Sequence, residues 1–398
     1  MAASSSLRSG TGSSSQERGI PLPNADALFE ILLRVPAKDL GRCHAVCRPW
    51  RCILTDPHFV AAHKARHDPL IVVGYCPSSE NTLCDIMDLS GRVLKQVHRT
   101  AGWYATSVHL DFICSSNSRT FRLHNLSTGV VYNLPEELTE EHAAEERNTY
   151  RFFAAAAFGQ ARSTGQYKVL RVLVRETSAY TGNFFEIITL GGGSHARWRA
   201  KESPPFSVCL DMWKTVVIDG IAYYFCCVDP AVREEEAASD RIASFDLDRE
   251  EWRPTLRGPL SSSSVDYAPY RPFHRIYPFD LSMSTINGSL VVVHRADRSS
   301  LADLWFLMDF ERGLWVKQHS IRVQFSDPVP YGLQETVRPL LVLSDGRIVF
   351  VQAGDKRVLL RIYDPRTNTY SDVAEIMGRC CAVGLYTGGA LGLANGTG

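Results

Sequence analysis

The sequence predicts a multi-domain chain: a small all-α unit of three helices, followed by an all-β propeller of about six blades. Before position 60, apolar residues recur at helical spacing. From Leu70 onward they fall in short alternating runs bounded by Gly, Asp, Asn and Pro, which are strand signals. The later part also repeats with a period of roughly 50 residues, which is typical of propeller blades. At 398 residues, the chain has room for both parts.

The first helix is predicted from an apolar stripe in residues 20–36. Four residues fall at i, i+3, i+4 and i+7 and share one helical face: Leu28, Ile31, Leu32 and Val35. Asn24 or Asp26 can cap its N-terminus. Pro36 then ends the helix and suits the first turn of the next one, because its missing N–H costs nothing there.

Two further helices follow within a short stretch of sequence. Leu40 and Cys43 continue the apolar face in the second, and the third carries Val46, Trp50, Ile53 and Leu54 before Asp56-Pro57 ends it. Residues 59–67 are expected to be a polar helix tail or linker. Three helices of this length cannot bury so much apolar surface alone, which predicts a partner that covers it.

These residues resemble the F-box motif in the form common in plant F-box proteins. The resemblance lies in Leu22-Pro23, Glu30-Ile31-Leu32, residues 34–40, Val46-Cys47-Arg48, Trp50-Arg51 and residues 56–59. It implies that the unit docks on a Skp-type adaptor, which joins the cullin and the RING subunit of a ubiquitin ligase. The residues predicted to bind the adaptor are Leu22, Pro23, Leu28, Ile31, Leu32, Val35, Pro36, Leu40 and Trp50.

The propeller is predicted from three segments that align with one another. Each begins with a tight turn, at Asp219-Gly220, Asn287-Gly288 or Asp345-Gly346. Each closes with an Asp six positions before an aromatic residue, in the pairs Asp246 and Trp252, Asp309 and Trp315, and Asp364 and Tyr370. We expect the Asp to accept hydrogen bonds from turn amides and the aromatic ring to pack between sheets.

Weaker copies around Asp88, Asn125 and Trp198 bring the number of predicted units to six. A late strand over residues 381–386 is expected to complete the first blade and close the ring, which removes an exposed sheet edge. This region resembles the F-box-associated or kelch-like domain of plant F-box proteins. The similarity lies in Phe158-Gly159, Tyr167-Lys168-Val169, Asp246 with Trp252, and Tyr363-Asp364-Pro365.

The predicted domain organisation has four parts. Residues 1–18 form a disordered leader, 19–66 the F-box domain, 67–390 the F-box-associated propeller and 391–398 a flexible tail. The first 19 residues lack the apolar core of a secretory signal, although their Ser content leaves a short plastid transit peptide as an alternative. We therefore expect a cytoplasmic or nuclear protein whose 11 cysteines are reduced core thiols.

Two insertions interrupt the repeat. Residues 136–146 carry six Glu and no Lys or Arg, which predicts a solvated helical loop. Residues 258–282 form a long loop with aromatic and basic side chains, the usual interface types. The candidate substrate-binding residues there are Tyr270, Arg271, His274 and Tyr277. The alternative is that the aromatic side chains of this loop only pin it onto the blades.

Charge and composition exclude several functions. Lys and Arg together number 43, as do Asp and Glu, which argues against a general nucleic-acid or anionic-membrane binder. No apolar run approaches the length of a membrane span. No metalloprotease motif, nucleophile elbow or dinucleotide fingerprint is present, and no cofactor is predicted.

The spacing of Cys43, Cys47, His63 and His67 comes near that of a zinc finger. A structural Zn²⁺ is the alternative reading, but both cysteines occupy apolar positions of a helical pattern that needs no metal, and we expect none. Cys380 and Cys381 are predicted to lie in a strand without a redox role.

The two resemblances together imply the substrate-recognition subunit of a Skp–cullin–F-box ubiquitin ligase, without catalytic residues of its own. The propeller would then bind an unknown protein substrate. Two other functions stay open from the residues alone. One is a protein-binding propeller that acts outside any ligase, and the other is an enzyme with convergent titratable residues in the central channel.

Overall fold

A computed structural model describes most of the chain. The described residues are 24–36, 39–40, 43, 46–77, 82–98, 102–117, 120–126, 129–143, 150–176, 181–191, 196–210, 212–226, 240–261, 281–295, 300–324, 335–354 and 356–386.

The N-terminal part is a helical unit that contains α1 (Ala25–Leu32), α2 (Arg48–Thr55) and α3 (Pro57–Arg66). Asp39, Leu40 and Cys43 are helical as well. The predicted cap of α1 is confirmed, because the side chain of Asn24 accepts a hydrogen bond of 2.7 Å from the N–H of Ala27.

The expectation of a helix tail or linker over residues 59–67 is wrong, because this stretch belongs to the separate helix α3. Asp56 caps α3 by accepting a hydrogen bond of 2.7 Å from the N–H of His58. Phe59 and His63 are buried on its inner face. The apolar pattern missed this helix because one of its buried side chains is an imidazole, which counts as polar.

In the described residues, six sheets of four strands each follow. In chain order the strands are β1 (Leu70–Cys76), β2 (Leu83–Met87), β3 (Val93–His98), β4 (Tyr104–His109), β5 (Phe112–Ser116), β6 (Phe121–Asn125), β7 (Val131–Asn133), β8 (Tyr150–Gln160), β9 (Tyr167–Glu176), β10 (Thr181–Thr189), β11 (Arg199–Lys201), β12 (Thr215–Ile218), β13 (Ile221–Phe225), β14 (Ile242–Asp246), β15 (Glu251–Trp252), β16 (Leu281–Ile286), β17 (Ser289–Arg295), β18 (Leu301–Asp309), β19 (Leu314–Arg322), β20 (Thr336–Val342), β21 (Ile348–Ala353), β22 (Arg357–Asp364), β23 (Thr369–Met377) and β24 (Arg379–Tyr386). A short helix, α4 (Glu140–Ala143), lies between β7 and β8.

The sheets are the blades of a propeller, as predicted. Strands β4, β8, β12, β16, β20 and β24 each form the inner edge of one sheet. The last strand, β24, pairs with β1, so the C-terminal strand completes the first blade and closes the ring. This closure confirms the role predicted for residues 381–386.

The two ends of the propeller differ in how the chain turns. At one end, the turn end, the inner strand of a blade passes into its second strand and the third passes into the fourth. At the opposite end, the connection end, the second strand passes to the third and one blade passes to the next. The three connections 226–241, 253–280 and 323–335 begin and end at the connection end. By contrast, residues 67–69 lead from α3 into β1 at the turn end.

Two of the three predicted tight turns are confirmed. Asp219-Gly220 and Asn287-Gly288 have positive φ at both residues, from 49° to 78°, and join directly paired strands. The third predicted turn, at Asp345-Gly346, is not a tight two-residue turn, because the loop before β21 is longer. Of Asp345 and Gly346 only Gly346 has positive φ, and its N–H donates to the carbonyl oxygen of Leu343 at 2.9 Å.

The predicted pairing of a turn Asp with an aromatic residue is confirmed in the fourth blade. The Asp246 carboxylate accepts hydrogen bonds from the N–H groups of Asp248 and Arg249 at 2.8 and 3.1 Å. Trp252 packs its ring against Phe185 of the preceding blade, with a ring-centroid distance of 4.9 Å. The aromatic residue therefore joins neighbouring blades.

The tryptophans of the repeats also make hydrogen bonds that the sequence did not predict. Three indole N–H groups each donate to a carbonyl oxygen that follows the outer strand of the preceding blade. The pairs are Trp198 with Pro135 at 2.9 Å, Trp252 with Glu202 at 2.7 Å and Trp315 with Arg257 at 2.8 Å. Each indole N–H thereby gains a hydrogen-bond partner while the ring joins two blades; Trp198 and Trp315 are buried and Trp252 is partly buried.

Candidate functional site

The helical unit presents large apolar side chains to solvent. Ile31 is 51% exposed and Val46 is 59% exposed, and Pro36 is also exposed. The apolar period had placed Val46 on the inner face of the third helix, but α2 begins only at Arg48, and Val46 lies outside. Exposed residues of this size mark a surface that another molecule can cover.

Other predicted adaptor-binding residues lie inside the helical unit. Leu28, Leu32 and Leu40 are at most 4% exposed and pack together in its core. Val35 and Trp50 are partly buried against the same core. These leucines form the core of the helical unit, whereas Ile31, Pro36 and Val46 are exposed. Leu22 and Pro23 lie outside the described residues, and the adaptor-binding role of the whole set stays a prediction.

His63 of α3 and His67, the C-cap residue of that helix, contact the chain that follows α1. The Nε2 atoms of His63 and His67 each lie 2.8 Å from a backbone carbonyl oxygen, of Val35 and Leu33 respectively, so each Nε2–H donates there. The two imidazole rings stack with a centroid distance of 4.1 Å. Burial lowers the pKa of His63, because a charged imidazole is costly away from water.

The histidine contacts bear on the alternative of a zinc site. Both Nε2 atoms are engaged by carbonyl oxygens. Within the ranges that the structure describes, no group of three or more His, Cys, Asp or Glu side chains could hold a metal ion.

The candidate substrate-binding residues Tyr270, Arg271, His274 and Tyr277 lie outside the described residues. The structure describes the residues at both ends of this loop. At its start, the carboxylate of buried Asp240 accepts hydrogen bonds from the N–H groups of Leu260 and Ser261.

At the other end of the loop, the ammonium group of Lys214 donates a hydrogen bond to the carbonyl oxygen of Leu281. Leu281 and Ser282 already belong to β16, so the loop ends two residues earlier than the sequence predicts. The loop therefore starts and ends on fixed backbone at the connection end.

A buried ion pair in the third blade had no signal in the sequence. Arg171 of β9 and Glu186 of β10 lie opposite each other, and neither side chain has any exposed surface. The Arg171 Nε lies 2.7 Å from a Glu186 oxygen, and its guanidinium stacks 3.9 Å above the ring centre of Trp198. The guanidinium also donates to the carbonyl oxygen of Glu137 at 2.6 Å.

The same carboxylate anchors the acidic insertion. Thr139 donates to Glu186 from its N–H at 3.1 Å and from its hydroxyl at 2.9 Å, and His142 Nδ1 lies 2.6 Å away. Burial alone would raise the pKa of Glu186, but the hydrogen bonds from His142 and Thr139 and the charge of Arg171 lower it to about 2.

Over residues 136–143, the prediction of a solvated helical loop is confirmed for the exposed acids and wrong for Thr139, whereas residues 144–146 lie outside the described residues. Thr139 is buried against the third blade. The side chains of Glu136, Glu137, Glu140 and Glu141 are exposed. The sequence pattern showed the run of acids but not the buried partner that fixes it.

A second charged cluster joins the third and fourth blades at the turn end. Glu250 receives the ammonium groups of Lys168 and Lys201, both at 2.9 Å, and the guanidinium of Arg199. These cations outweigh the effect of burial and lower the pKa of Glu250 to about 2. Lys168 belongs to the Tyr-Lys-Val motif quoted above, and this contact gives it a structural role between blades.

Family models match both parts of the chain. A model described as "F-box associated beta propeller domain" matches residues 65–378, and one described as "F-box-like" matches residues 22–61. Among the described residues, no helix is long and apolar enough to cross a bilayer.

Similar proteins come from Arabidopsis thaliana. F-box protein At5g18160 is 26% identical over 318 residues, which cover 76% of this chain and 70% of that protein. Another F-box protein of the same plant is 26% identical over 253 residues, and there the match covers 58% of this chain and 61% of the relative's length. Among solved structures, a subtype N11 neuraminidase-like protein from a bat influenza virus covers 79% of this chain and 81% of its own, at 10% identity and a TM-score of 0.38. A match at that TM-score carries no conclusion about activity.

Proposed function

This chain belongs to the family of F-box proteins with an F-box-associated β-propeller domain, and from this membership we propose that it is the substrate-recognition subunit of a Skp–cullin–F-box ubiquitin ligase. The helical unit docks on a Skp-type adaptor, which brings the cullin and the RING subunit. The propeller holds a target protein. The chain contributes proximity and no bond chemistry, since it turns a bimolecular encounter into a local one. It acts in the cytoplasm or the nucleus.

One observation carries this proposal: a helical unit with exposed Ile31 and Val46 joins a closed propeller through residues 67–69. Large apolar side chains dominate the binding energy of interfaces. The charged clusters of Glu186 and Glu250 also support a role without catalysis, because their charges are neutralised within blade packing and do not converge on an open site.

Adaptor binding is tested with Ile31→Glu and Val46→Glu in the full chain, co-expressed with a Skp-type adaptor. Each charge placed at the interface should lower co-purified adaptor at least tenfold, because burying an unpaired carboxylate there is costly. Leu32 is unsuitable for this purpose, since an acid in the core would unfold the unit. Met377→Glu is the matched control, because Met377 is 66% exposed and lies on the propeller.

Unchanged adaptor recovery from both helical variants would contradict the docking surface. If the wild-type chain recovers no adaptor at all, the alternative of a binding module outside any ligase replaces the proposal. A melting temperature equal to that of wild type shows that each variant is folded.

Target binding is proposed for the connection end, with Tyr270, Arg271, His274 and Tyr277 as candidate contacts. This end gathers the longest connections, and loops on a rigid scaffold commonly carry recognition. The triple variant Tyr270→Ala, Arg271→Ala and His274→Ala should keep its melting temperature and adaptor but lose proteins captured when the proteasome is blocked. Unchanged capture, or a lowered melting temperature, would assign these side chains to packing.

A further inference from the structure

Two cysteines lie at the seam where the ring of blades closes. Cys76 is the last residue of β1, and Cys381 lies near the start of β24. Their Sγ atoms are 2.9 Å apart although 305 positions separate them in sequence. The register of the two strands shifts between Cys380 and Ala382, which makes Cys381 the extra residue of a β-bulge. The bulge places its thiol beside Cys76 at the connection end.

We propose that Cys76 and Cys381 form a reversible disulfide that locks the propeller ring closed. A disulfide has an S–S distance of about 2.05 Å, so the two sulfur atoms need to approach by less than about 1 Å. Both thiols are partly exposed, which lets a small oxidant reach them. Strand alternation predicted no redox role for Cys381, because alternation takes no account of a bulge.

The reaction is thiol–disulfide exchange with a small-molecule disulfide such as glutathione disulfide. The Cys76 thiolate attacks one sulfur of the oxidant, which forms a mixed disulfide and releases one glutathione thiolate. The Cys381 thiol then loses its proton, attacks the Cys76 sulfur and expels the second glutathione. Two protein thiols are oxidised, one glutathione disulfide is reduced, and the two protein protons end on the two released glutathione thiolates.

The surroundings favour this order of attack. The hydrogen bond between the two thiols lowers the pKa of Cys76, and Thr82 and Arg379 act in the same direction. The same contact raises the pKa of Cys381. A thiolate is the attacking species in exchange, so Cys76 reacts first and Cys381 resolves the mixed disulfide.

The cross-link would act on the whole propeller. It ties the first blade strand to the last, and everything between them becomes one closed loop. A cross-link over a long loop restricts the unfolded chain most, which raises the melting temperature of the folded ring. A reducing compartment opens the disulfide again, so its state reports the local redox balance.

The test incubates the full chain in glutathione buffers of rising oxidised fraction, followed by acid quench, alkylation and non-reducing digestion. Trypsin cleaves at Arg66, Arg92 and Arg379, and it releases residues 67–92 and a peptide that begins at Cys380. Because each peptide holds two cysteines, Cys76→Ser and Cys381→Ser assign the bond. Cys380→Ala, which alters the buried neighbour in the same strand, is the matched control.

The proposal expects the linked peptide in wild type and in Cys380→Ala, and its loss in both serine variants. Oxidation should raise the melting temperature of wild type by about 5 °C and leave the serine variants unchanged. A linked peptide that persists in Cys76→Ser, or glutathione stably attached to Cys76 without the link, would overturn the proposal. Adaptor recovery is measured in parallel, and its failure would concern the ligase function alone.

Discussion

Glu186→Gln should destabilise the propeller strongly, because it removes a buried charge while keeping the shape of the side chain. The carboxylate accepts from Arg171 Nε at 2.7 Å, from the N–H of Thr139 at 3.1 Å and its hydroxyl at 2.9 Å, and from His142 Nδ1 at 2.6 Å. An amide has one oxygen, and its NH₂ group would face donors that need an acceptor. Arg171 would remain as an uncompensated buried charge.

Two ways of counting the loss give a similar magnitude. Removing one partner of a buried ion pair costs about 3–5 kcal/mol. Separately, the pKa of Glu186 falls from 4.5 to about 2 on folding, which corresponds to about 3 kcal/mol of stability at neutral pH. Because the folded pKa is the lower one, this contribution is complete above pH 4.5 and is lost as the pH falls toward 2.

The assay is urea unfolding of the full chain at pH 7 and pH 4, followed by near-UV circular dichroism. Glu186→Gln should lose about 3 kcal/mol at pH 7 and less at pH 4. Glu141→Gln, an exposed acid on α4, is the control and should change stability by less than about 0.5 kcal/mol. The double variant Arg171→Met with Glu186→Leu should cost less than either single change, because no unpaired charge remains.

Two results would refute this reasoning. One is a Glu186→Gln protein that unfolds like Glu141→Gln at pH 7. The other is a double variant whose loss equals the sum of its two single changes, since that would show that the residues contribute separately and not as a pair.

Two further predictions concern the turn residue Asp246 and the buried histidine His63. Asp246→Ala should lower the free energy of unfolding by on the order of 1–2 kcal/mol, because two turn hydrogen bonds are lost. Asp246→Asn keeps an acceptor and should lower it less. Equal losses for the two variants in urea unfolding would contradict the role of the hydrogen bonds. Because burial lowers the pKa of His63, the unfolded unit binds more protons, so the stability of the helical unit should fall as the pH drops below about 6.5. Hydrogen exchange of α1 at pH 7.5 and 5.5 measures this loss, which His63→Gln should reduce and exposed His58→Gln should not.

The features that sequence could predict are local ones. The spacing of Asp246 and Trp252 indicated a turn followed by a returning strand because both residues belong to the same hairpin. Asp219-Gly220 identified its turn because both residues reach positive φ there. The Asp345-Gly346 dipeptide looks alike in sequence, yet its loop is longer, since strand pairing outside the dipeptide sets the loop length.

Features that depend on distant pairing could not be predicted. Arg171 and Glu186 meet only because the register of β9 and β10 places them opposite each other. Their link to Thr139 needs, in addition, the path of a connection between blades. The division of the helical unit into a leucine core and an exposed Ile31 likewise follows from how α3 packs, and most side chains of α3 are too polar for the apolar pattern to predict that packing.

Under the proposed function, the separation of the turn end from the connection end bears on how the protein could acquire new targets. The helices enter at the turn end, where Glu250 and the short hairpins fix neighbouring blades. The described ends of the connections 226–241, 253–280 and 323–335 lie at the far end of the strands; a strand such as β1 spans roughly 23 Å over its 7 residues. We therefore expect that each of these connections can be exchanged as a whole between related proteins. Under the proposed function, a new set of connections would bind another target protein while the ligase complex that the helical unit recruits stays the same.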